Sequence, residues 1–300
     1  MTDAIFKGCG TALITPFTEG GGAVDFSALE RLIEFQISNG IDSLVALGTT
    51  GEAMTLTPSE KEEVIRFAVS KINRRVPVIV GTGSNSTACA VENSRAAEKL
   101  GADGILLVTP YYNKCTQNGL IAHFGAVADA VGLPVVAYNV PGRTGVNILP
   151  ATFAKMCEHK NVSAIKEASG DISQISETAR LTRGKAHIYC GDDGIILPVI
   201  SVGGIGVISV AANIAPKYFS ELTAAALSGQ KKAVEMQLNA LPLIKALFSE
   251  VNPIPVKAAA ELLGLSGGAV RLPLTRIEDG NLLNLKKVTD EFFKAQENFF

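Results

Sequence analysis

Eight short apolar runs recur along the chain, and each is followed by a stretch whose apolar residues have helical spacing. The runs are apolar on both alternating faces, as expected of parallel strands that are covered by helices on both sides of a sheet. Repeated right-handed βα units of this kind close into a barrel. We therefore predict an α/β fold, a (β/α)8 TIM barrel, with strands at residues 11–15, 43–47, 78–81, 104–108, 135–138, 164–166, 188–190 and 206–210.

The helical pattern is clearest at residues 59–72, where Val64, Ile65 and Ala68 share one face and Pro58 marks the start. After about residue 225 the strand runs stop, but helical patterns continue. We predict two units, a barrel at residues 1–225 that carries the active site and a helical extension at 226–300. The predicted helices of the extension are 231–248, 255–263 and 282–299.

Composition excludes several classes of protein. A length of 300 residues fits one barrel plus an appendage, and 47% apolar residues supply a large core. The formal charge is only −2 and no block of like charges occurs, so we expect no nucleic-acid partner. Five cysteines without a CxxC pair argue against a disulfide framework and a zinc site, and they favour a reducing compartment.

Neither a signal peptide nor a membrane span is expected. Residues 1–7 lack the basic segment and apolar core of a secretory signal. Residues 194–216 carry no charge, but Pro198, Gly203 and Gly204 break this stretch into shorter elements. We therefore expect a cytoplasmic protein with no membrane partner.

Polar clusters follow five of the predicted strands, where barrel enzymes carry their catalytic residues. The sharpest candidate is Lys166, which shares its parity with Val162 and Ala164, so all three are predicted to point into the barrel. Burial disfavours an ammonium ion, and a neutral amine can attack a carbonyl to form an imine. The alternative is a lysine that extends toward solvent and pairs with Glu167 or another acid. The clusters are at residues 48–52, 109–112, 138–145, 165–167 and 191–193.

Hydroxyl groups at neighbouring strand ends would support this chemistry. Tyr138, Thr49 and Thr50 are predicted to converge on Lys166 and to relay protons. Each also has a simpler explanation, as a core tyrosine or as part of a turn. Arg143 lies on a Pro-Gly turn, where its guanidinium could bind a substrate carboxylate in bidentate fashion, although a surface arginine is an alternative.

Metal and cofactor chemistry find little support in the sequence. The three histidines are far apart and no zinc or nucleotide motif occurs. Asp192 and Asp193 could bind magnesium, but the start of a helix explains them more simply. The glycines at 203–206 resemble a barrel phosphate site, although close packing of the eighth strand also needs glycine. We expect no metal and no cofactor.

At the segments 48–52, 138–141 and 165–167 the sequence resembles the dihydrodipicolinate synthase and N-acetylneuraminate lyase superfamily, and the match covers nearly the whole chain. The resemblance implies that Lys166 forms the Schiff base with pyruvate, and that Tyr138 and Thr49 belong to the proton relay. It implies further that Thr50 binds the pyruvate carboxylate, while Gly191 and Ile208 line the same pocket.

The arginine after Tyr-Asn-Val-Pro and the segments 166–171 and 252–257 resemble the synthase branch more closely than the sialic-acid lyases. This likeness implies condensation of pyruvate with L-aspartate 4-semialdehyde, the first committed step of diaminopimelate and lysine biosynthesis, with Arg143 on the carboxylate of the semialdehyde. Tyr112 matches the family tyrosine that enters the active site of a neighbouring subunit. A catalytic dimer is thereby implied, and a tetramer of two such dimers is usual in the family.

Family members that lysine inhibits carry a glutamate and histidines in a dimer-interface pocket, where this chain has Cys89, Pro58 and Lys61. Asn85 and Tyr111 are retained. Loss of an acid and gain of a cation should weaken binding of a cationic amino acid, so we expect weak or no inhibition by lysine.

Two other functions fit the same residues. One is a related pyruvate-dependent aldolase that cleaves a sialic acid or a 2-keto-3-deoxy sugar acid. The other is a barrel without catalytic activity that binds a keto acid, which would not require Lys166.

Overall fold

Eight parallel strands form a closed barrel in the computed structural model, which describes residues 3–297. Each strand pairs with the next along the chain, and the last pairs with the first. The predicted TIM barrel is therefore confirmed. The strands are β1 (Gly8–Ala12), β2 (Ser43–Ala46), β3 (Val78–Gly81), β4 (Gly104–Val108), β5 (Val135–Asn139), β6 (Val162–Glu167), β7 (His187–Cys190) and β8 (Gly206–Ser209).

The helices that surround the barrel follow the strands in alternation, and three more come after the last barrel helix. They are α1 (Phe26–Ser38), α2 (Pro58–Ile72), α3 (Thr87–Lys99), α4 (Gln117–Ala130), α5 (Pro141–Thr144), α6 (Pro150–Met156), α7 (Ile172–Thr182), α8 (Ile196–Ser201), α9 (Pro216–Leu227), α10 (Lys232–Leu247), α11 (Ile254–Leu262) and α12 (Asp279–Glu297). No helix in residues 3–297 is both long enough and apolar enough to cross a membrane.

Helix α2 begins as the sequence predicts. The Thr57 hydroxyl accepts the backbone N–H of Glu60, the Glu60 carboxylate accepts that of Thr57, and Pro58 occupies the first turn. This capping box satisfies two backbone donors that the first turn of a helix leaves free. In the extension, α12 begins three residues before its predicted start, and the predicted residues 298 and 299 lie outside the described residues.

The barrel interior holds one side chain or more from every strand. Phe6 and Tyr189 stack there with their ring centroids 4.4 Å apart, and the Tyr189 hydroxyl donates to the Phe6 carbonyl at 2.7 Å. Because Phe6 precedes β1, this pair fills the end of the barrel where the strands begin. The other buried interior residues from the strands are Ala12, Val45, Ile79, Leu106, Val136, Tyr138, Ala164 and Ile208.

Two strand predictions were wrong in detail. The first strand is 8–12 rather than 11–15. Its two glycines mask the strand in the sequence, because glycine is unfavourable inside strands in general. A Cβ atom on Gly10 would lie 2.9 Å from the Phe6 ring, so the close approach of that ring requires glycine there.

The other correction concerns Val162, which packs with the residues outside the barrel rather than inside it. The strand register shifts between Val135 and Val136, whose partners are Val162 and Ala164. Ser163 is therefore an extra residue in β6, and such a bulge reverses the face of every residue before it. Ala164 and Lys166 follow the bulge and keep the predicted orientation.

Candidate active site

A cavity of about 360 Å³ opens at the end of the barrel where the strands finish. Six of the eight predicted site residues line it, and they come from the ends of four strands. These residues are Thr49, Thr50, Tyr138, Arg143, Lys166 and Gly191.

Lys166 extends from β6 into this cavity and is only 4% exposed. Burial is the main reason that the pKa of its amine is lowered to about 8. The negative charge of Asp193 raises this pKa by a smaller amount, and the positive charge of Arg143 lowers it. No salt bridge between described residues includes Lys166. Its Nζ lies 4.5 Å from the centroid of the Tyr138 ring. The amine is thus held against an aromatic ring rather than against an acid.

Glu167 faces away from Lys166, so the alternative of a Lys166–Glu167 ion pair was wrong. Its carboxylate accepts hydrogen bonds from Asn139 Nδ2 at 3.1 and 3.2 Å and from the Ser169 backbone N–H at 2.8 Å. Neighbouring residues of a strand point to opposite faces, which explains why adjacent groups of opposite charge do not meet.

Tyr138 precedes the end of β5 and pairs in register with Lys166 on β6. Burial raises the pKa of its hydroxyl to about 12, and the negative charge of Asp192 raises it further. The positive charge of Arg143 and a side-chain hydrogen bond with Thr49 lower it. The hydroxyl therefore stays protonated at neutral pH and is available as a proton donor.

Thr49 and Thr50 lie on a tight turn after β2. The Gly51 N–H donates to the Gly48 carbonyl and the Glu52 N–H to the Thr49 carbonyl, both at 3.1 Å. Thr15, which follows β1, donates its hydroxyl to the Gly51 carbonyl at 2.7 Å. The turn is thus tied to the neighbouring strand end.

Asn252 was not predicted as a site residue, yet it contacts two of those that were. Its Nδ2 donates to the Thr50 hydroxyl oxygen at 2.9 Å, and its backbone carbonyl accepts Arg143 Nη2 at 3.2 Å. Asn252 is buried and lines the cavity. The sequence signal was the segment 252–257, which we noted only as part of the family likeness. Asp192, from the predicted polar cluster 191–193, also lines the cavity. Lining residues that sequence reasoning missed include Ile244, Lys245 and Phe248 from the extension.

Gly191 follows β7 directly beneath the lysine side chain. A Cβ atom at this position would lie 3.0 Å from Lys166 Cε and 2.9 Å from the Ala168 Cβ. These distances are shorter than ordinary carbon contacts, so the lysine can take its path only beside a glycine.

The two remaining predicted residues lie away from the cavity wall. Ile208 is buried in the barrel interior on β8, beneath the cavity. Tyr112 is 91% exposed and has a φ of 70°, so the structure places its ring in the open rather than in the site of its own chain.

The acidic and glycine motifs have structural explanations. Asp192 caps the short 3-10 helix Asp193–Ile195, and Asp193 accepts the backbone N–H groups of Val210 and Ala211 at 2.9 and 3.0 Å. A Cβ atom on Gly206 would lie 2.1 Å from the Gly8 carbonyl oxygen, so the packing of β8 requires glycine. Among the described residues no group of acidic, histidine or cysteine side chains could hold a metal ion.

Comparison with known proteins agrees with this geometry. The model of the dihydrodipicolinate synthetase family matches residues 5–291. The 4-hydroxy-tetrahydrodipicolinate synthase of Clostridium tetani is 53% identical over 286 residues, which cover 95% of this chain and 97% of that protein.

Two solved structures extend the comparison. The crystal structure of dihydrodipicolinate synthase from Thermotoga maritima has a TM-score of 0.94 at 44% identity and covers 96% of this chain and 99% of that one. The chloride-inhibited enzyme from Acinetobacter baumannii, complexed with pyruvate, has a TM-score of 0.93 at 43% identity, covering 95% and 98% of the two chains. The chain described here therefore belongs to the dihydrodipicolinate synthetase family.

Proposed function

We propose that this protein condenses pyruvate with L-aspartate 4-semialdehyde to 4-hydroxy-tetrahydrodipicolinate, the first committed step of diaminopimelate and lysine biosynthesis. The observation that carries the proposal is Lys166, a buried amine with a pKa of about 8 that faces a cavity and has no acidic partner within the described chain. The similarity to named synthases over nearly the full length supports the same reaction.

The first half of the reaction forms an imine. The neutral amine of Lys166 attacks the keto carbon of pyruvate, and the resulting carbinolamine loses water when its hydroxyl group takes up a proton. Tyr138 is protonated at neutral pH and lies beside Thr49 in the cavity wall, so these two hydroxyls are suited to deliver that proton. Loss of a proton from the pyruvate methyl group then gives an enamine.

The second half forms the new carbon–carbon bond. The enamine carbon attacks the aldehyde carbon of the semialdehyde, whose oxygen takes up a proton to become a hydroxyl group. The amino group of the same substrate then attacks the imine carbon, closes the ring and releases the Lys166 amine. Neither half needs an external cofactor.

Thr50 and Arg143 are assigned to the two substrate carboxylates. Asn252 Nδ2 donates to the Thr50 oxygen, which leaves the Thr50 proton free to donate to the pyruvate carboxylate. Arg143 lies at the cavity rim, where its planar guanidinium suits the carboxylate of the incoming semialdehyde. Gly191 lines the pocket and leaves room for the three-carbon substrate, and Ile208 packs in the barrel interior beneath it.

A second chain supplies Tyr112 in this proposal. A further cavity of about 300 Å³ adjoins the first and is lined by Thr49, Tyr138 and apolar groups, including Val108 and Pro253. An aromatic ring from outside would fit there, and the exposed Tyr112 of a second copy is the proposed occupant. The functional unit is then a homodimer, and two dimers form a tetramer. The five free cysteines suit a reducing compartment, so the proposed location is the cytoplasm.

Two measurements test the function. A coupled assay compares pyruvate plus aspartate semialdehyde with cleavage of N-acetylneuraminate and of 2-keto-3-deoxygluconate, and only the first is expected to turn over efficiently. Borohydride reduction in the presence of pyruvate should add a pyruvate-derived mass to Lys166, with Lys166→Gln as the control. Efficient cleavage of a sugar acid would make the chain a related aldolase, and absence of the adduct would favour a binding protein.

A further inference from the structure

The C-terminal extension contacts the active-site turn at a second point beyond Asn252. Lys257, on α11, places its Nζ 2.5 Å from the Glu52 carboxylate, and Glu52 is the last residue of the segment 48–52 that carries Thr49 and Thr50. The two side chains are 0% and 1% exposed. An ion pair so completely buried loses the hydration of both charges.

Other contacts of Glu52 and Lys257 are also specific. The second carboxylate oxygen of Glu52 accepts the Arg271 backbone N–H at 3.1 Å. Lys257 Nζ lies 4.1 Å from the centroid of the Phe17 ring, and Arg271 Cζ lies 4.3 Å from the same centroid. Phe17 is buried, so Lys257 is held by an aromatic ring on one side and a carboxylate on another.

The turn itself has an unfavourable backbone. Leu47 and Glu52, on either side of Thr49 and Thr50, have φ angles of 56° and 51°, a region that side chains with a Cβ atom rarely adopt. Such a conformation persists only where the surrounding structure enforces it. The turn packs closely against Gly81, where a Cβ atom would lie 2.1 Å from the Leu47 carbonyl oxygen.

We propose that Lys257 is a positioning residue of the active site, which acts through Glu52 to hold the Thr49–Thr50 turn in its reactive conformation. Lys257 itself does not line the cavity that contains Lys166, so its effect has to pass through the turn. A buried ion pair is weak evidence of a gain in stability, because well-packed apolar residues often do as well. The pair fixes both the position and the direction of Glu52, which an apolar contact would not.

This role of Lys257 rests on the proposed function, and it concerns how the Thr49–Thr50 turn is positioned for the reaction with pyruvate. Thr50 is assigned to the pyruvate carboxylate and Thr49 to the proton relay, so a displaced turn should impair the pyruvate half-reaction. Arg143 is held separately by the Asn252 carbonyl, so binding of the semialdehyde should change little.

The first test compares Lys257→Met with the double variant Glu52→Gln/Lys257→Met. The single variant leaves Glu52 charged and unpaired and is expected to lower stability, whereas the double variant removes both charges and is expected to fold. In the folded double variant kcat/KM for pyruvate should fall about 10- to 100-fold, the effect expected of a displacement of roughly 1 Å at reacting groups. The KM for aspartate semialdehyde should stay within about twofold, since its anchor is unchanged.

The control is Leu285→Ala, a buried position on α12 that is outside the cavity lining. It is chosen to match the fall in melting temperature without touching the turn, and its kcat/KM for pyruvate at 25 °C should equal that of the wild type. A second readout is the rate of borohydride trapping at Lys166, which should fall in the double variant while its pH dependence stays unchanged.

The outcomes separate the two proposals. If the wild type lacks synthase activity, the proposed function fails whatever Lys257 does. If the wild type is active and the double variant has wild-type kcat/KM for pyruvate, Lys257 and Glu52 serve folding only and the positioning role is refuted. Equal loss for both substrates would also contradict it.

Discussion

A Cβ atom on Gly191 would lie 3.0 Å from Cε of Lys166, so the reactive side chain passes directly over the one residue at the end of β7 that leaves it room. The same Cβ atom would lie 3.0 Å from the Glu167 carbonyl oxygen and 2.9 Å from the Ala168 Cβ, so a side chain at position 191 would also press on the end of β6. The path of the amine into the cavity thus depends on a hydrogen atom at position 191.

Gly191→Ala should therefore displace Lys166 while the barrel stays folded. We expect kcat to fall about 10- to 100-fold, because displacement of a nucleophile by a fraction of an ångström to 1 Å has effects of this size. Trapping of pyruvate by borohydride measures the imine directly. Gly125→Ala on α4 is the control, since nothing lies within 4 Å of its added methyl group and activity should not change. Wild-type kcat in Gly191→Ala would mean that the lysine has another route.

The pH dependence of imine formation should follow the lowered pKa of Lys166. With a pKa of about 8 instead of 10.5, about a tenth of the amine is neutral at pH 7, against on the order of one part in 3000 at the ordinary value. The amount of imine trapped in a short pulse should rise about tenfold per pH unit below pH 8 and then level off. If the amount of trapped imine keeps rising tenfold per pH unit up to pH 10, burial does not lower the pKa of the Lys166 amine.

Arg143→Ala should separate the two substrates. The KM for aspartate semialdehyde is expected to rise about 10- to 100-fold, as loss of a charge-assisted hydrogen bond to a carboxylate implies. Imine formation with pyruvate should remain intact. Arg143→Lys keeps the charge without the planar fork and should be intermediate. If Arg143→Ala barely affects turnover of the semialdehyde, the synthase assignment is wrong.

Tyr112 can be tested by mixing two inactive variants. Tyr112→Phe lacks the exposed hydroxyl and Lys166→Ala lacks the nucleophile, so each alone should be nearly inactive. A mixed dimer contains one complete site, in which the Lys166→Ala chain supplies Tyr112 to the other chain. Random reassociation should restore about a quarter of the wild-type activity, because half of the dimers are mixed and half of their sites are complete. No recovery after confirmed subunit exchange would place Tyr112 in the site of its own chain, and wild-type activity of Tyr112→Phe alone would place it outside the chemistry.

Lysine should inhibit this protein weakly or not at all. Pro58 and Lys61 line a small cavity of about 80 Å³ at the start of α2, and Cys89 is exposed at the start of α3. A cation in place of an acceptor repels the lysine ammonium, so about 1 mM lysine should leave the rate unchanged. The double variant Lys61→His/Cys89→Glu should gain sensitivity. An inhibition constant in the low micromolar range for the wild type would refute the prediction.

Local patterns in the sequence determined most of the architecture. Apolar runs predicted the barrel strands, because a strand buried on both faces is apolar at nearly every position. Apolar residues three and four positions apart predicted the helices, because each helix buries only one face. The same reasoning predicted the inward orientation of Lys166, and for Ala164 and Lys166 it was correct. It was wrong for Val162, since the extra residue in β6 has no local signal and shows only in the pairing with β5.

Tertiary structure alone decided how the turn at residues 48–52 is held. Thr50 and Asn252 are 202 positions apart in the chain, and Glu52 and Lys257 are 205 apart, yet each pair is in hydrogen-bond contact. The spacing of apolar residues reflects only neighbours within a few positions of the chain. It therefore cannot predict contacts between the barrel and the extension. The sequence by itself therefore determined which residues can do the chemistry, and the folding of the extension onto the barrel decided how they are positioned, because position depends on packing between distant segments.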